Sequence, residues 1–209
     1  MPPSGLRERK KLKTKAAIQR AAIRLFKKRG YEQTTIEQIA AAAEISPSTF
    51  FNYFPSKEEV VIYDEYDPQL FAGLMAESHG ESMSTTLRRL MEKFGDVLHG
   101  DREVIFERAK LGLEVPELRA RFWEEMEKAR DLFATFIASR TGRSADDFEL
   151  RVISMALVGA AFESSLEWVR QGGDRRLLDL FQRAMDVAGI YDLLDRLEAG
   201  VTKRPPTVL

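Results

Sequence analysis

The sequence predicts an all-α fold, with a small amino-terminal three-helix head containing a helix-turn-helix and a larger helical domain after it. Three observations carry this. Apolar residues recur at three- and four-residue spacing along most of the 209-residue chain, glycine and proline fall where these stretches stop, and no alternating strand pattern competes. A chain of this length can bury a substantial core and a ligand cavity besides, and 44% hydrophobic with 31% charged residues is the composition of a globular protein.

The elements follow in order. Residues 7 to about 29 form an amphipathic helix with Ile18, Ala21, Ala22, Leu25 and Phe26 on one face, a basic opposite face and Gly30 as its stop. Thr35 is placed as an N-cap, with Gln38 three residues on completing a capping box for a short helix that ends near Glu44. Ser46 caps a third helix, running to about Tyr53, with Pro47 at the first helical position, where its missing N–H is no loss. Pro55 ends it, and Ser56 caps a fourth helix carrying Lys57, Val60, Val61 and Tyr63. Asp67-Pro68 should kink or restart that helix, because a residue before proline is pushed out of the α region. Further helices are expected at about 84–99, 102–112, 116–140, 146–171 and 175–197, with irregular ends at MPPSG and from Gly200.

Charge and chemistry narrow the function. Residues 1–60 hold twelve Lys or Arg against six Asp or Glu, a balance of +6, so with a total of −1 the remainder carries −7. Basic charge gathered at one end suits a polyanion. The absence of cysteine excludes disulfides and thiolate chemistry, and no run approaches the length needed to span a bilayer, so a cytoplasmic protein is expected. His79 and His99 are the only histidines, and no phosphate loop or metal-ligand spacing occurs. Glu124 and Glu125 adjoin in sequence and so diverge on a helix. An enzyme is therefore disfavoured, and no cofactor or metal is expected.

Two short helices at about 35–43 and 46–53, joined by a tight turn and braced by a longer first helix, meet the demands of a helix-turn-helix. In such a unit the second helix enters the major groove of DNA, presenting small or polar side chains there. Ser48, Thr49 and Asn52 supply these, while Ile45, Phe50 and Phe54 are placed in the core.

The segment GYEQTTIEQIAAAAEISPSTFFNYFPSKEEVV, residues 30–61, resembles the DNA-binding segment of the tetracycline-repressor (TetR) family of dimeric, ligand-responsive transcription regulators. With the basic first helix the likeness covers about 50 residues; beyond them it lies mainly in the helix pattern. The resemblance implies that Thr35 bonds a phosphate at a helix N-terminus, that Ser48, Thr49 and Asn52 face base edges or phosphates, that Tyr53 donates to a phosphate, and that Lys57 anchors the DNA backbone. Ser46, Pro47 and Phe51 complete the implied DNA-binding set. Phe51 departs from the tyrosine most common there and lacks its hydroxyl. Glu37 is acidic near a base-reading position of some relatives, and either accepts from cytosine or points away. The Arg7 to Lys15 cluster is either a solvated helix start or the extension that reaches a minor groove in this family.

The domains implied are 1–55 for DNA binding, 56–199 for ligand binding and dimerisation, and 200–209 as a tail. Among the aromatic and methionine residues of the second domain, Phe94, Phe106, Trp123, Met126, Phe133, Met155 and Phe162 are candidates for a pocket taking a hydrophobic effector. The runs VPELRARFWEEME at 115–127 and FESSLEWVRQGG at 162–173 look like actinobacterial relatives of the family, some of which answer to fatty acyl-CoA. With such a ligand, Arg119 or Arg121 could meet its phosphates. The last two helices are expected to form a homodimer through Leu157, Ala160, Ala161, Leu177, Leu180, Phe181 and Ala184, with Leu150, Ile153 and Gly159 in the same faces. Two reading heads about one DNA turn apart, ~34 Å, would suit a palindromic operator, and ligand would release the repressor by favouring another spacing through the fourth helix. The rival reading is an architectural DNA-binding protein without effector.

Overall fold

The computed structural model describes residues 5–64, 67–76, 80–174 and 176–200, with the backbone alone for Glu8, Asp67, Pro68, Phe94 and residues 96–99. The segment MPPSG and the tail from residue 200 lie outside the described residues apart from Gly5 and Gly200, as does His79. Eleven helices and no strand occur among the described residues: α1 Leu6–Arg29, α2 Ile36–Ala42, α3 Pro47–Phe51, α4 Lys57–Ile62, α5 Asp67–Ala76, α6 Met83–Gly100, α7 Arg102–Glu114, α8 Pro116–Thr141, α9 Phe148–Arg170, α10 Leu177–Val187 and α11 Ile190–Glu198. The all-helical expectation holds.

Two compact units form. The first takes residues up to 69 together with 100–124, so α1 to α4 are joined there by α7 and the first turns of α8. Its core is the inward face of α1, with Ile18, Ala22, Ile23 and Phe26, packed on Ile39 and Ala40 of α2, Phe50 of α3 and Val60 to Ile62 of α4. Phe50 and Phe54 are fully buried, each worth ~1.5–3 kcal/mol relative to exposure.

Polar bonds close this unit where helices end. The last carbonyls of a helix have no partner within it, and those of α4 are each met from outside. Gln19 Nε2 donates to Val60 O at 2.9 Å and Tyr63 O at 2.8 Å. Arg108 donates from Nε to Val61 O at 2.8 Å, from Nη2 to Ile62 O at 3.1 Å and from Nη1 to Asp64 Oδ2 at 3.1 Å. The Lys15 ammonium lies 3.9 Å from the Tyr63 ring centroid. Burial first, then the neighbouring Lys11 charge, pulls the Lys15 pKa below its usual value.

The second unit takes 70–99 and the residues from 125 onward. Met83, Leu87 and Leu90 of α6, Phe136 and Ile137 of α8, Leu150, Ile153 and Leu157 of α9 and the apolar faces of α10 and α11 form its core. Carboxylates of α11 satisfy the first N–H groups of α6: Glu198 accepts from Met83 N at 2.8 Å, and Asp195 accepts from Ser84 N at 3.1 Å and Ser84 Oγ at 2.6 Å. Negative charge is favourable at that end of a helix.

The structure revises two expectations. The last helix, read as continuous over 175–197, is two helices, because Gly189 adopts φ +63 between Ala188 and Ile190. Second, α9 is long and apolar enough by length and composition to cross a bilayer, although no run was expected to approach this. That test rests on length and composition alone, which a core helix also meets, and here Leu150, Ile153, Leu157 and Trp168 are buried against protein. A break near Asp67-Pro68 is present, but it falls before the step where it was expected: α4 ends at Ile62, and Asp67 is already helical as the first residue of α5, with Pro68 in the first turn, where its missing N–H costs nothing.

Candidate nucleic-acid interface

The helix-turn-helix is built by caps. Thr35 Oγ1 accepts from Gln38 N at 3.3 Å while Gln38 Oε1 accepts from Thr35 N at 3.2 Å, so the capping box is complete. Glu37, in the first turn of α2, has its carboxyl held below the usual value by its own backbone N–H and by the Thr35 hydroxyl. The chain reverses at Glu44, whose φ of +58 is left-handed and unusual for a residue with a side chain. Ile45 N then returns to Ala40 O at 3.0 Å. Sequence reasoning missed this turn residue, because Glu carries none of the signal that Gly or Asn would give there.

Helix α3 starts at a hydroxyl knot. Ser46 Oγ accepts from Thr49 N at 3.1 Å and shares hydrogen bonds of 2.8 Å with both Ser48 Oγ and Thr49 Oγ1. Phe50 points into the core, which turns Ser48, Phe51 and Asn52 outward; all three are exposed. Positions three and four apart share a helix face, so these three form one outer strip.

Beside that strip lies a cleft of about 1000 Å³ lined by Leu6, Arg7, Lys10 and Lys11 of α1 and by Thr49, Asn52 and Tyr53. Cations at a helix N-terminus oppose the macrodipole, so local helix stability does not account for the cluster in the first turns of α1. An anion in the cleft would. Leu6, 65% exposed at its edge, is a lining residue that sequence reasoning overlooked.

Lys57 is differently engaged. Its ammonium donates to Tyr31 O at 3.0 Å and Thr34 O at 3.3 Å, and sits 4.1 Å from the Tyr31 ring centroid. It thereby holds the turn that leads directly into Thr35. Tyr31 in turn donates to Glu58 Oε1 at 3.2 Å, and burial, ahead of the Glu58 charge, pushes its phenol well above the usual range.

The remaining candidates fall as follows. Phe106 and Trp123 belong to the first unit and Met126, Phe133, Met155 and Phe162 to the second; the Phe94 side chain is outside the described residues. Trp123 is 55% exposed, while Phe133 packs on the second core. Arg121 pairs with Glu59 and Glu124, each at 2.9 Å, and Arg119 is exposed. Leu157, Ala160, Leu180 and Phe181 are buried within the single chain, and Ala161, Leu177 and Ala184 are half-buried. Phe148, Val152 and Val187 are exposed on α9 and α10.

A capped helix-turn-helix with Ser48 and Asn52 on its outer strip, set beside a basic cleft, defines a helical DNA-reading protein. Residues 18–63 match the family described as bacterial regulatory proteins, tetR family, and residues 81–189 match the MftR C-terminal domain of TetR-type proteins. The chain is 35% identical over 193 residues to the HTH-type transcriptional regulator TcmR of Streptomyces glaucescens, covering 87% of this chain and 85% of that one. It is 28% identical, with a TM-score of 0.55, to the TetR-family transcriptional repressor FadR of Thermus thermophilus, solved in complex with lauroyl-CoA, over 93% of this chain and 98% of that one. The fatty acid degradation regulator FadR of Bacillus halodurans shares the fold, with a TM-score of 0.61 at 20% identity, over 91% of this chain and 97% of that one. The chain belongs to the TetR family of DNA-binding transcriptional regulators.

Proposed function

We propose that the protein is a homodimeric repressor that binds a palindromic operator and is released by a hydrophobic small molecule, with fatty acyl-CoA the first class to test. The observation that carries the DNA half is the outer strip Ser48, Phe51 and Asn52 standing next to a cleft lined by Arg7, Lys10 and Lys11. Base edges would meet the strip, and a phosphodiester strand would lie along the cleft, with Thr49 and Tyr53 donating to phosphates and the capped start of α2 at Thr35 taking another. Lys57 serves as a positioning residue, by fixing the turn before Thr35. Ser46 and Pro47 set the start of the reading helix.

The effector half rests on the relative solved with lauroyl-CoA and on the apolar side chains Met126, Phe133, Met155 and Phe162 of the second unit. An effector need distinguish the DNA-competent from the incompetent conformation by only about 1–3 kcal/mol to change occupancy. A second copy would meet the exposed Phe148, Val152 and Val187 together with what Ala161, Leu177 and Ala184 leave uncovered. Selection of binding sites from random DNA, followed by titration of acyl-CoAs of graded chain length into the operator complex, tests both halves. A palindrome released by one ligand class supports the proposal. Binding that no ligand disturbs would favour the architectural reading, and a non-palindromic site would remove the dimer.

A further inference from the structure

Phe51 is an oddity on a surface built to meet a polyanion. It is 54% exposed, carries no hydrogen-bonding atom, and occupies the middle of the outward strip of α3. Its ring is held edge-on against Phe50, with centroids 5.6 Å apart and planes at 89°, and Phe50 is itself fully buried. The ring is therefore anchored by the core and presents its free half outward. Its neighbours on the strip are polar: Ser48 shares a hydrogen bond with Ser46 Oγ at the start of the helix, and Asn52 offers a carboxamide that can both donate to and accept from a base. The major groove offers one apolar group, the C5-methyl of thymine. A phenyl ring forms no hydrogen bond to a phosphate oxygen or a base acceptor, and the thymine methyl is the base-edge group that suits it there.

We infer that Phe51 is a specificity-determining residue that reads thymine through its 5-methyl group, next to the base read by Asn52. The inference rests on the DNA-binding reading above and goes beyond it by naming the base and the atom. The test replaces each thymine of the selected operator in turn by deoxyuridine, which removes the methyl and changes no hydrogen bond. One position per half-site should weaken binding of the natural protein about 4-fold, the worth of one buried methyl. Phe51→Ala should bind the thymine operator weakly and be indifferent to that uridine, so that the two losses do not add. Phe51→Tyr, which keeps the ring, should still discriminate. Because Phe51 is half-exposed, unchanged melting temperatures will establish that both variants fold. If every uridine substitution affects the natural protein and Phe51→Ala alike, the inference is overturned and the DNA-binding reading stands. If no duplex is preferred at all, both are overturned.

Discussion

The Lys57 ammonium is shared between the main chain and the ring of one residue: Tyr31 offers its carbonyl oxygen at 3.0 Å and its ring centroid at 4.1 Å. A lysine at this place reads from sequence as a phosphate anchor, yet here two of its three N–H donors are directed at the Tyr31 and Thr34 carbonyls. Lys57→Met should lower stability by about 1–2 kcal/mol, from lost hydrogen bonds and ring contact. It should weaken operator and random DNA together, with the salt slope nearly unchanged. A slope reduced by about 0.9 would instead mean that a phosphate contact had been removed. Urea denaturation and binding across a salt series measure the two effects.

Arg108 pins the end of α4, donating to two carbonyls and to Asp64 from a position only 7% exposed. Arg108→Met removes the donor from those two buried carbonyls and one ion-pair partner from Asp64, and should cost about 3 kcal/mol in denaturant unfolding. Arg108→Lys cannot reproduce the planar fork and should recover only part of this. Equal stability of the methionine variant and the natural protein would show that water serves these carbonyls as well.

How far the sequence foretold these features depends on their range. Caps are local, so Thr35 with Gln38, Ser46 with Pro47 and Ser56 could be placed from sequence, and each accepts the expected backbone bond. Phe50 and Phe54 were assignable to the core because helical spacing opposes them to Ser48 and Asn52. Gly189 was passed over because apolar spacing continues from Phe181 and Met185 to Ile190 and Leu194, and periodicity alone does not register one left-handed residue. The contacts of Gln19 and Arg108 with α4 were illegible because they join residues more than 40 positions apart. Periodicity likewise marks Leu157 and Phe181 as apolar without saying which surface covers them; in the structure the same chain buries both.

Gly112 and Phe122 are matched across α7 and α8. A Cβ at Gly112 would fall 2.1 Å from Phe122 Cε2, far inside van der Waals contact. Gly112→Ala should therefore destabilise the protein by about 1–3 kcal/mol, although alanine is the better helix former. Adding Phe122→Leu should return part of the loss, giving a favourable coupling in a double-mutant cycle. Strictly additive losses would mean that the ring moves aside freely.

Stability should also respond to acid through Glu58. Burial pushes its carboxyl up, but hydrogen bonds from Ser56, its own backbone N–H and the Tyr31 hydroxyl, with the Lys57 charge, outweigh this and hold it below its usual value. A depressed folded pKa means that the fold prefers the ionised form. Its contribution is complete above the unfolded value of about 4.3 and is lost as pH falls through the folded one. The stability gap between the natural protein and Glu58→Gln should thus be full at about pH 6 and narrow at about pH 3.5, as urea denaturation at both pH values will measure. A gap independent of pH would show that the carboxylate form is not what the fold holds.

The basic cleft yields the prediction that separates affinity from sequence reading. Lys10 and Lys11 line it together with Thr49, Asn52 and Tyr53, so a strand lying there would be within reach of lysines on one side and of the Asn52 carboxamide on the other. Charge reads phosphate and not sequence: each lysine that displaces a counterion contributes about 0.9 to the slope of log affinity against log salt, on operator and random DNA alike. Lys10→Gln and Lys11→Gln should each flatten that slope by about this amount and leave the ratio of operator to random affinity unchanged. Asn52→Ala should do the opposite, keeping the slope and collapsing the ratio by about 1–3 kcal/mol, since a carboxamide contributes through its hydrogen bonds to one base. The charge at Lys10 and Lys11 opposes the dipole of α1, so the same glutamine variants should melt no lower than the natural protein. If they melt markedly lower instead, the cluster serves the fold, and the cleft is not where the strand lies.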